Sequence, residues 1–574
     1  MAETLVSPGV LARENDQSQI TAQPIQAGAA IVGPTVKGRQ NIPTLVTSYS
    51  EYSAKYGSTF TSGSNEYTYF TSIAAYNYFQ QGGTSLLVTR VASGSITPAT
   101  SSNAVGGDGS TVSFVLESLA QGAGQDSDGG VGTNNTLTNG TENNLRWEVV
   151  SPNSSAGTFS LLIRRGDDNI NQKVVLESFN NISLDPKQDN YISKIIGDMT
   201  DTIMTDADGT TYIQPTGSYA NGSAYVRVKS VSNTINYFDN NGTAKAEFTG
   251  SIPTAASGAF GGAAGSLIPT GRVANYYQNI GEGGVNDTQG LVEGDYTTAL
   301  ALLNNKDEYK YNVLISPGVT KQSQSTPVST LVTQAQGRGD YLAVLDLRDY
   351  GSTVNNTIDA ASSYDNSYAT TYWPWVQTTD PDTGELVWVP ASTMMLGVMA
   401  YNDRVAASWF APAGVNRGGM GTVARAERKL TQTNRDDLYA ANVNPIGTFP
   451  NSGVVVFGQK TLQKKKSALD RVNVRRLLIT LKDYISQIAD TLVFEQNTIA
   501  TRNSFLSQVN PYLQNVQQQQ GLYAFKVVMD DSNNTPDVID RNELKGQIFL
   551  QPTKTAEFII LDFNVTPTGA SFPA

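Results

Sequence analysis

The sequence predicts a multidomain chain of α/β and α+β type interrupted by a large all-β insert. Three observations predict it. Helix and strand signals alternate through the first ninety residues, and the same rhythm returns near residue 295. Between them, residues 93–271 are rich in Gly, Ser, Thr and Asn and hold only short alternating stretches. At 574 residues the chain exceeds one ordinary core, and length alone suggests about three or four domains. Apolar content of 39% suffices for folded domains, and 52 Gly with 27 Tyr fit β-rich structure with many turns.

Residues 1–20 read as an extended arm, with Pro8, Gly9 and no helical period. AAIVGPTVKG from Ala29 reads as a buried strand broken by Gly33-Pro34, and IPTLVTS as a second strand. SYSEYSAKYG predicts a short helix ended by Gly57, and NEYTYFTSIAAYNYFQQGG a helix stopped by Gly82-Gly83. SLLVTRV returns as a buried strand. The insert contributes STVSFVLESL, RWEVV, TFSLLIRR and AYVRVKSV, separated by glycine clusters, and carries 17 acidic against 9 basic residues. GDYTTALALLNN, YKYNVLISPG, STLVTQAQGRGD and YLAVLDL then read helix, strand, helix, strand. The insert therefore interrupts one mixed-sheet α/β domain, formed by 21–92 and 272–370. A C-terminal α+β domain is expected over 371–565. It ends in the strand FIILDFNV, with Ile559, Leu561, Phe563 and Val565 on one face and a polar tail at 566–574.

The chain contains no Cys and no His. Disulfides, thiol nucleophiles, zinc sites built on those residues and His-based triads are excluded. No cofactor and no metal site is expected. VMDDSNNTPDVIDRNE is dense in oxygen ligands but lacks the spacing and central Gly of a calcium loop, and reads as a capped surface loop. Asp346 and Asp403 are candidates for a carboxylate pair only if the fold joins them, and nothing in their spacing does so. The N-terminal stretch lacks a basic and then apolar leader pattern, and no run of 18 apolar residues occurs, so neither secretion nor membrane binding is expected.

The chain is acidic, with a formal net charge of -12, yet residues 463–476 gather Lys464, Lys465, Lys466, Arg471, Arg475 and Arg476 against Asp470 alone. The apolar residues Val474, Leu477, Leu478, Leu481, Ile485, Ile488 and Leu492 mark an amphipathic helix. At ~100° per residue, Arg471, Arg475 and Lys482 fall within about 40° of one another, a basic stripe beside the apolar one. Cations near a helix N-terminus oppose the macrodipole, so an anionic partner is expected. Stacking aromatics are not interleaved, which argues against nucleic acid.

Several segments carry a resemblance: YWPW at 372–375, VPAS at 389–392, WFAPAGVNRG at 409–418, LYAANVNPI at 438–446, VVVFGQKTL at 454–462, LDRVNVRRLL at 469–478 and VFEQN at 493–497. GLYAFKVVMDDSNNTPDVIDRNEL at 521–544, TAEFIILDF at 555–563, and the N-terminal SPGVLARE, IVGPTVKG and FQQGGTSLLVTRV continue it. In these the chain resembles the contractile tail sheath proteins of myophages over residues 1–92 and 272–574. The insert matches no such segment. The resemblance implies a sheath-type core and a non-enzymatic structural subunit of the virion tail, assembled in the host bacterial cytoplasm. Hexameric rings would stack around an inner tail tube, with baseplate and tail terminator proteins at the ends, and shorten to drive the tube through the host envelope. It also implies terminal arms that add strands to neighbouring subunits, here carried by Val6, Val10, Leu11, Ile559, Leu561, Phe563 and Val565, and an outward-facing insert. The tube-facing residues would be Lys464, Lys465, Lys466, Arg471, Arg475, Arg476 and Lys482. A phage-derived injection particle, a surface-layer-type protein and a carboxylate-based glycoside hydrolase are the alternatives.

Overall fold

The computed structural model describes residues 25–62, 65–127, 130–265 and 289–558. The expected arm residues Val6, Val10, Leu11, Ile559, Leu561, Phe563 and Val565 lie outside them.

An eight-stranded mixed sheet forms the centre. Its order is Gly453–Val456, Asn444–Phe449, Ala369–Trp373, Leu342–Asp346, Val313–Thr320, Ala29–Gly33, Leu86–Arg90, Thr44–Val46. The six inner strands run parallel, and each edge strand is antiparallel to its neighbour. A strand buried on both faces must be apolar at odd and even positions alike. The register obeys this. Ile31, Leu86, Val88, Ile315 and Val344 join one core, and Ala30, Val32, Leu87, Leu314 and Leu345 join the other. Each fully buried branched side chain contributes about 1.5–3 kcal/mol, so a register slip in any of these strands would misplace several such contributions at once.

The first core is closed by helices Tyr49–Tyr56, Phe70–Gln80 and Ala391–Val405. Ser48 caps the first of these, its hydroxyl accepting from the Glu51 amide, and Gly57 ends it at φ 73°. The helix expected from Asn65 begins only at Phe70. Residues Asn65–Thr68 form a strand instead, paired with Thr59–Ser62. Tyr67 and Thr68 favour an extended backbone, and a hairpin partner decided the local competition. The helices Phe70–Gln80 and Ala391–Val405 pack closely at Gly397, where the Asn77 amide donates to the Met394 carbonyl.

The domain boundary expected at residue 370 falls inside this sheet. The strands at 369–373, 444–449 and 453–456 all belong to it, so the α/β unit runs on past 456. The aromatic segment 372–389 supplies the end of a sheet strand and two strands of a small three-stranded annex, whose third strand is Val423–Ala426; Trp373 and Trp375 are buried and Trp388 is half-buried.

The insert folds around its own antiparallel eight-stranded sheet. Phe114 stacks on Phe159 at 5.5 Å and meets Trp147 edge-on. Arg164 is fully buried and binds Asp168 through Nε at 2.7 Å and Nη2 at 2.8 Å. That pairing meets the condition under which a buried charge is tolerable. The insert is tied to the central sheet by Arg90, whose Nη1 donates to the carbonyls of Gly38 and Gln121, and by the ion pair Arg39–Asp201.

The C-terminal unit is an antiparallel helical pair, Val472–Asp490 and Ile499–Gln518, packed on a hairpin of Leu522–Val528 and Gln547–Pro552. Val472 and Ile479 enter the core of the α/β unit, while Leu477, Leu481 and Ile488 enter that of the C-terminal unit. The first helix therefore has two apolar faces at its start and one towards its end.

Candidate functional site

The basic cluster straddles the start of this two-faced helix, and the fold divides it. Lys464, Lys465 and Lys466 are exposed on the loop before the helix. The loop is held from within. The Lys464 amide donates to Asp365 Oδ1 at 2.9 Å, and the Gln463 side-chain amide donates to the Lys465 carbonyl and the Ser467 hydroxyl. None of the three ammonium groups forms an ion pair among the described residues. A fixed loop thus presents three unneutralised cations.

The arginines behave differently, and the expectation of a solvent-facing stripe is corrected. Arg475 and Arg476 are each 4% exposed. Arg475 lies 3.9 Å over the Tyr368 ring and donates to the Ser367 hydroxyl. Burial pulls its guanidinium below the usual arginine range. Arg476 forms a two-point contact with Asp403, with Nη1 to Oδ1 at 2.8 Å. Arg471 pairs with Asp470 at 3.0 Å and binds both Glu557 oxygens. Lys482 is exposed and donates to the Tyr368 hydroxyl at 3.3 Å. Arg475 and Lys482 do share one stripe, as their spacing predicts, but that stripe meets Tyr368 of the same chain. The cause is the second apolar face: Val472 and Ile479 drive this side of the helix against the α/β unit and carry the arginines in with them.

Sequence reasoning did not find Glu557, Tyr439 and Gln459. The Glu557 carboxylate accepts from Arg471, from the Tyr439 hydroxyl at 2.8 Å and from the Gln459 amide at 3.1 Å. Burial alone would raise this carboxyl, but the hydrogen bonds from Arg471 and Tyr439 outweigh it and hold Glu557 below the usual range. The partners Tyr439, Gln459 and Arg471 lie 118, 98 and 86 residues before Glu557 and share no motif with it, so no spacing signal marks the cluster.

Asp346 and Asp403 do not meet. Asp346 accepts from the Ser392 amide at the start of helix Ala391–Val405, and Asp403 lies near its end, about 16 Å along the axis. Among the described residues, no group of three or more acidic side chains is placed to hold a metal ion, and no helix is long and apolar enough to cross a membrane.

Comparison with known proteins assigns this framework. Residues 289–462 match the phage tail sheath protein central domain, and residues 464–566 the phage tail sheath C-terminal domain. Over these two stretches the chain is similar to phage tail sheath proteins. The junction between the two sheath domains falls at the foot of the lysine loop. The tail sheath protein of Vibrio phage KVP40 is 44% identical over 185 residues, 32% of this chain and 28% of that protein. The tail sheath protein of Salmonella phage ViI is 30% identical over 299 residues, 51% of this chain and 46% of that protein. The matches therefore span less than half of either relative. The fold is similar to a sheath tail protein from Listeria innocua, with a TM-score of 0.51 at 10% identity, covering 92% of this chain and 96% of that one. The sheath domains include the α/β unit from residue 289 onward and the helical pair, and leave out the insert.

Proposed function

We propose that this chain is a structural subunit of a contractile phage tail sheath, polymerising as stacked hexameric rings around an inner tail tube and contracting to drive the tube through the host envelope. The observation that carries the reading is the run of two consecutive sheath domains from residue 289 to residue 566. The role is mechanical, not catalytic. The extended sheath is a kinetic trap and the contracted lattice lies lower in free energy, so shortening needs no nucleotide. The chain assembles in the host bacterial cytoplasm and becomes part of the virion tail, between baseplate and tail terminator proteins.

Two features support the parts of this reading. The hairpin Leu522–Val528 with Gln547–Pro552 is a two-stranded sheet whose outer edges pair with no further strand among the described residues. Such an edge accepts an extended arm through backbone hydrogen bonds, the task assigned to the two chain ends. Lys464, Lys465 and Lys466 are the tube contact. Each exposed ion pair is worth only about 0–1 kcal/mol and is screened beyond about 8 Å. Contacts that are weak singly and repeated around every ring guide assembly and still release together. Arg471, Arg475 and Arg476 serve that contact indirectly, by fixing the helix behind the loop, and Lys482 lies at its flank.

Electron microscopy of the purified chain at rising concentration, alone and with its tube protein, tests the proposal. Hollow, helically ordered cylinders are expected. Persistent monomers under both conditions would overturn it.

A further inference from the structure

The loop joining the two long helices carries the most exposed large apolar side chain of the described residues. Phe494 is 99% exposed, between Val493 at 59% and Ile499 at 63%. Its backbone stands at φ 71°, a region in which a bulky residue is a genuine outlier. Strain of this kind persists where the neighbouring structure or a function demands it. Glu495 beside it is exposed and forms no ion pair among the described residues. An apolar ring and a free carboxylate thus stand together at the tip of a helical pair.

The same C-terminal unit holds a matching cavity at the other end. A groove of about 960 Å3 opens between the hairpin and the α/β unit, walled by Trp409, Phe457 and Tyr523. Phe457 and Tyr523 are 48% and 65% exposed. Its cations are Arg417, Arg435 and Lys554, and none of the three forms an ion pair among the described residues. Arg417 and Arg435 lie over the Phe410 and Phe449 rings and donate to backbone carbonyls. Of its two acids, Asp436 is exposed and Glu557 is already held by Arg471. The groove is aromatic with an excess of positive charge, the complement of Phe494-Glu495.

Tip and groove cannot meet within one chain. Asn473, on the groove wall, is the second residue of the helix Val472–Asp490, and Phe494 lies beyond its last residue. A helix of 19 residues separates them by about 28 Å. We propose that the occupant of the groove is a second copy of this chain: the tip at Phe494-Glu495 of one copy seats in the aromatic groove of the next. Knob and hole on different surfaces make a heterologous contact, which closes into rings or continues as a helix. The inference rests on the sheath reading and adds a residue-level contact between subunits.

The chain has no native cysteine, which makes cross-linking clean. Variants Glu495→Cys and Tyr523→Cys are mixed, assembled and oxidised. A cross-linked species of twice the chain mass, absent when either variant is oxidised alone, is expected. Assembled polymer without that species overturns the inference and leaves the sheath reading intact. Capture of Tyr523→Cys by a cysteine placed within residues 559–574 also overturns it, because the groove then holds the chain's own C-terminal segment. Phe494→Ala gives a second measurement. Polymer yield should fall about tenfold with an unchanged melting temperature, and an unchanged yield counts against the contact. Failure of the unmodified chain to polymerise removes both readings together.

Discussion

Arg471 and Glu557 face each other in a two-point contact, Nε at 2.7 Å from one carboxylate oxygen and Nη2 at 2.9 Å from the other. One residue precedes the long helix, and the other belongs to the last described segment of the chain. The pair fastens that segment to the seam between the two sheath domains. Glu557→Gln keeps an acceptor and removes the charge, and should weaken the attachment by about 1 kcal/mol. Limited proteolysis after residue 552 should accelerate several-fold, with the global unfolding midpoint nearly unchanged. The Glu557 carboxyl is held below its usual range in the folded chain. The stability it contributes is therefore present above the unfolded value of about 4.3 and is lost as pH falls through the lower folded value. Wild-type protein should approach the cleavage rate of the variant at low pH.

The two halves of the basic cluster should separate on mutation. Reversing Lys464, Lys465 and Lys466 to Glu touches only exposed side chains and should change stability by less than about 0.5 kcal/mol. Co-sedimentation with tube protein should fall sharply and become insensitive to salt. Arg476→Glu places a second acid against Asp403 in a buried position and should cost on the order of 3 kcal/mol. Thermal melting distinguishes them: the triple lysine variant melts as wild type, the arginine variant well below.

Asp346 is buried at the end of its strand, and its carboxylate receives the amide and hydroxyl of Ser392. Burial is the dominant influence and pushes its pKa up to about 7, although those hydrogen bonds pull the other way. A raised acid reverses the usual sign. The folded chain holds a proton that the unfolded chain releases near pH 3.9, so stability falls as pH rises from about 4 to about 7 and is flat above. Asp346→Asn retains an acceptor and removes that slope. Urea midpoints at pH 5 and pH 8 should show the variant gaining on wild type by on the order of 2 kcal/mol at the higher pH. An equal difference at both values would contradict the assignment.

Gly397→Ala sets two effects against each other. Helix propensity favours Ala by about 1 kcal/mol in a helix interior. A Cβ at this position, however, would stand 2.2 Å from the Asn77 amide nitrogen and 3.1 Å from its backbone oxygen. Separating two packed helices costs about 1–3 kcal/mol, and the loss of the Asn77 bond to Met394 adds to it. The net effect should be destabilising, read as a lower melting temperature.

Much of the central sheet was legible because buried parallel strands leave short apolar runs, and Ala29–Gly33, Leu86–Arg90 and Leu342–Asp346 each stand between clear breaks. Helix geometry also placed Arg475 and Lys482 on one stripe correctly. Periodicity yields relative angles along one helix, however, and is silent on what lies opposite. Tyr368, which covers that stripe, lies 107 positions before Arg475 in sequence. The 370 boundary failed for a related reason. Strand membership depends on distant partners, and Asn444–Phe449 pairs with Ala369–Trp373 across seventy intervening residues. The exposed lysine loop was visible because exposure is what a run of like charges ordinarily requires.

The chain leaves the central sheet at Arg90 and next contributes a strand to it at Val313, yet both of these strands flank Ala29–Gly33. The insert lies wholly within that excursion and closes over a core of its own. In evolutionary terms the arrangement uncouples two selective pressures. Exchange of the whole insert sheet for an unrelated one asks nothing of the strands that keep the register of the central sheet, provided Arg90 still finds carbonyls to bind at the junction. Sequence change within the insert can therefore accumulate without disturbing the pairing of Ala29–Gly33 with its two neighbours.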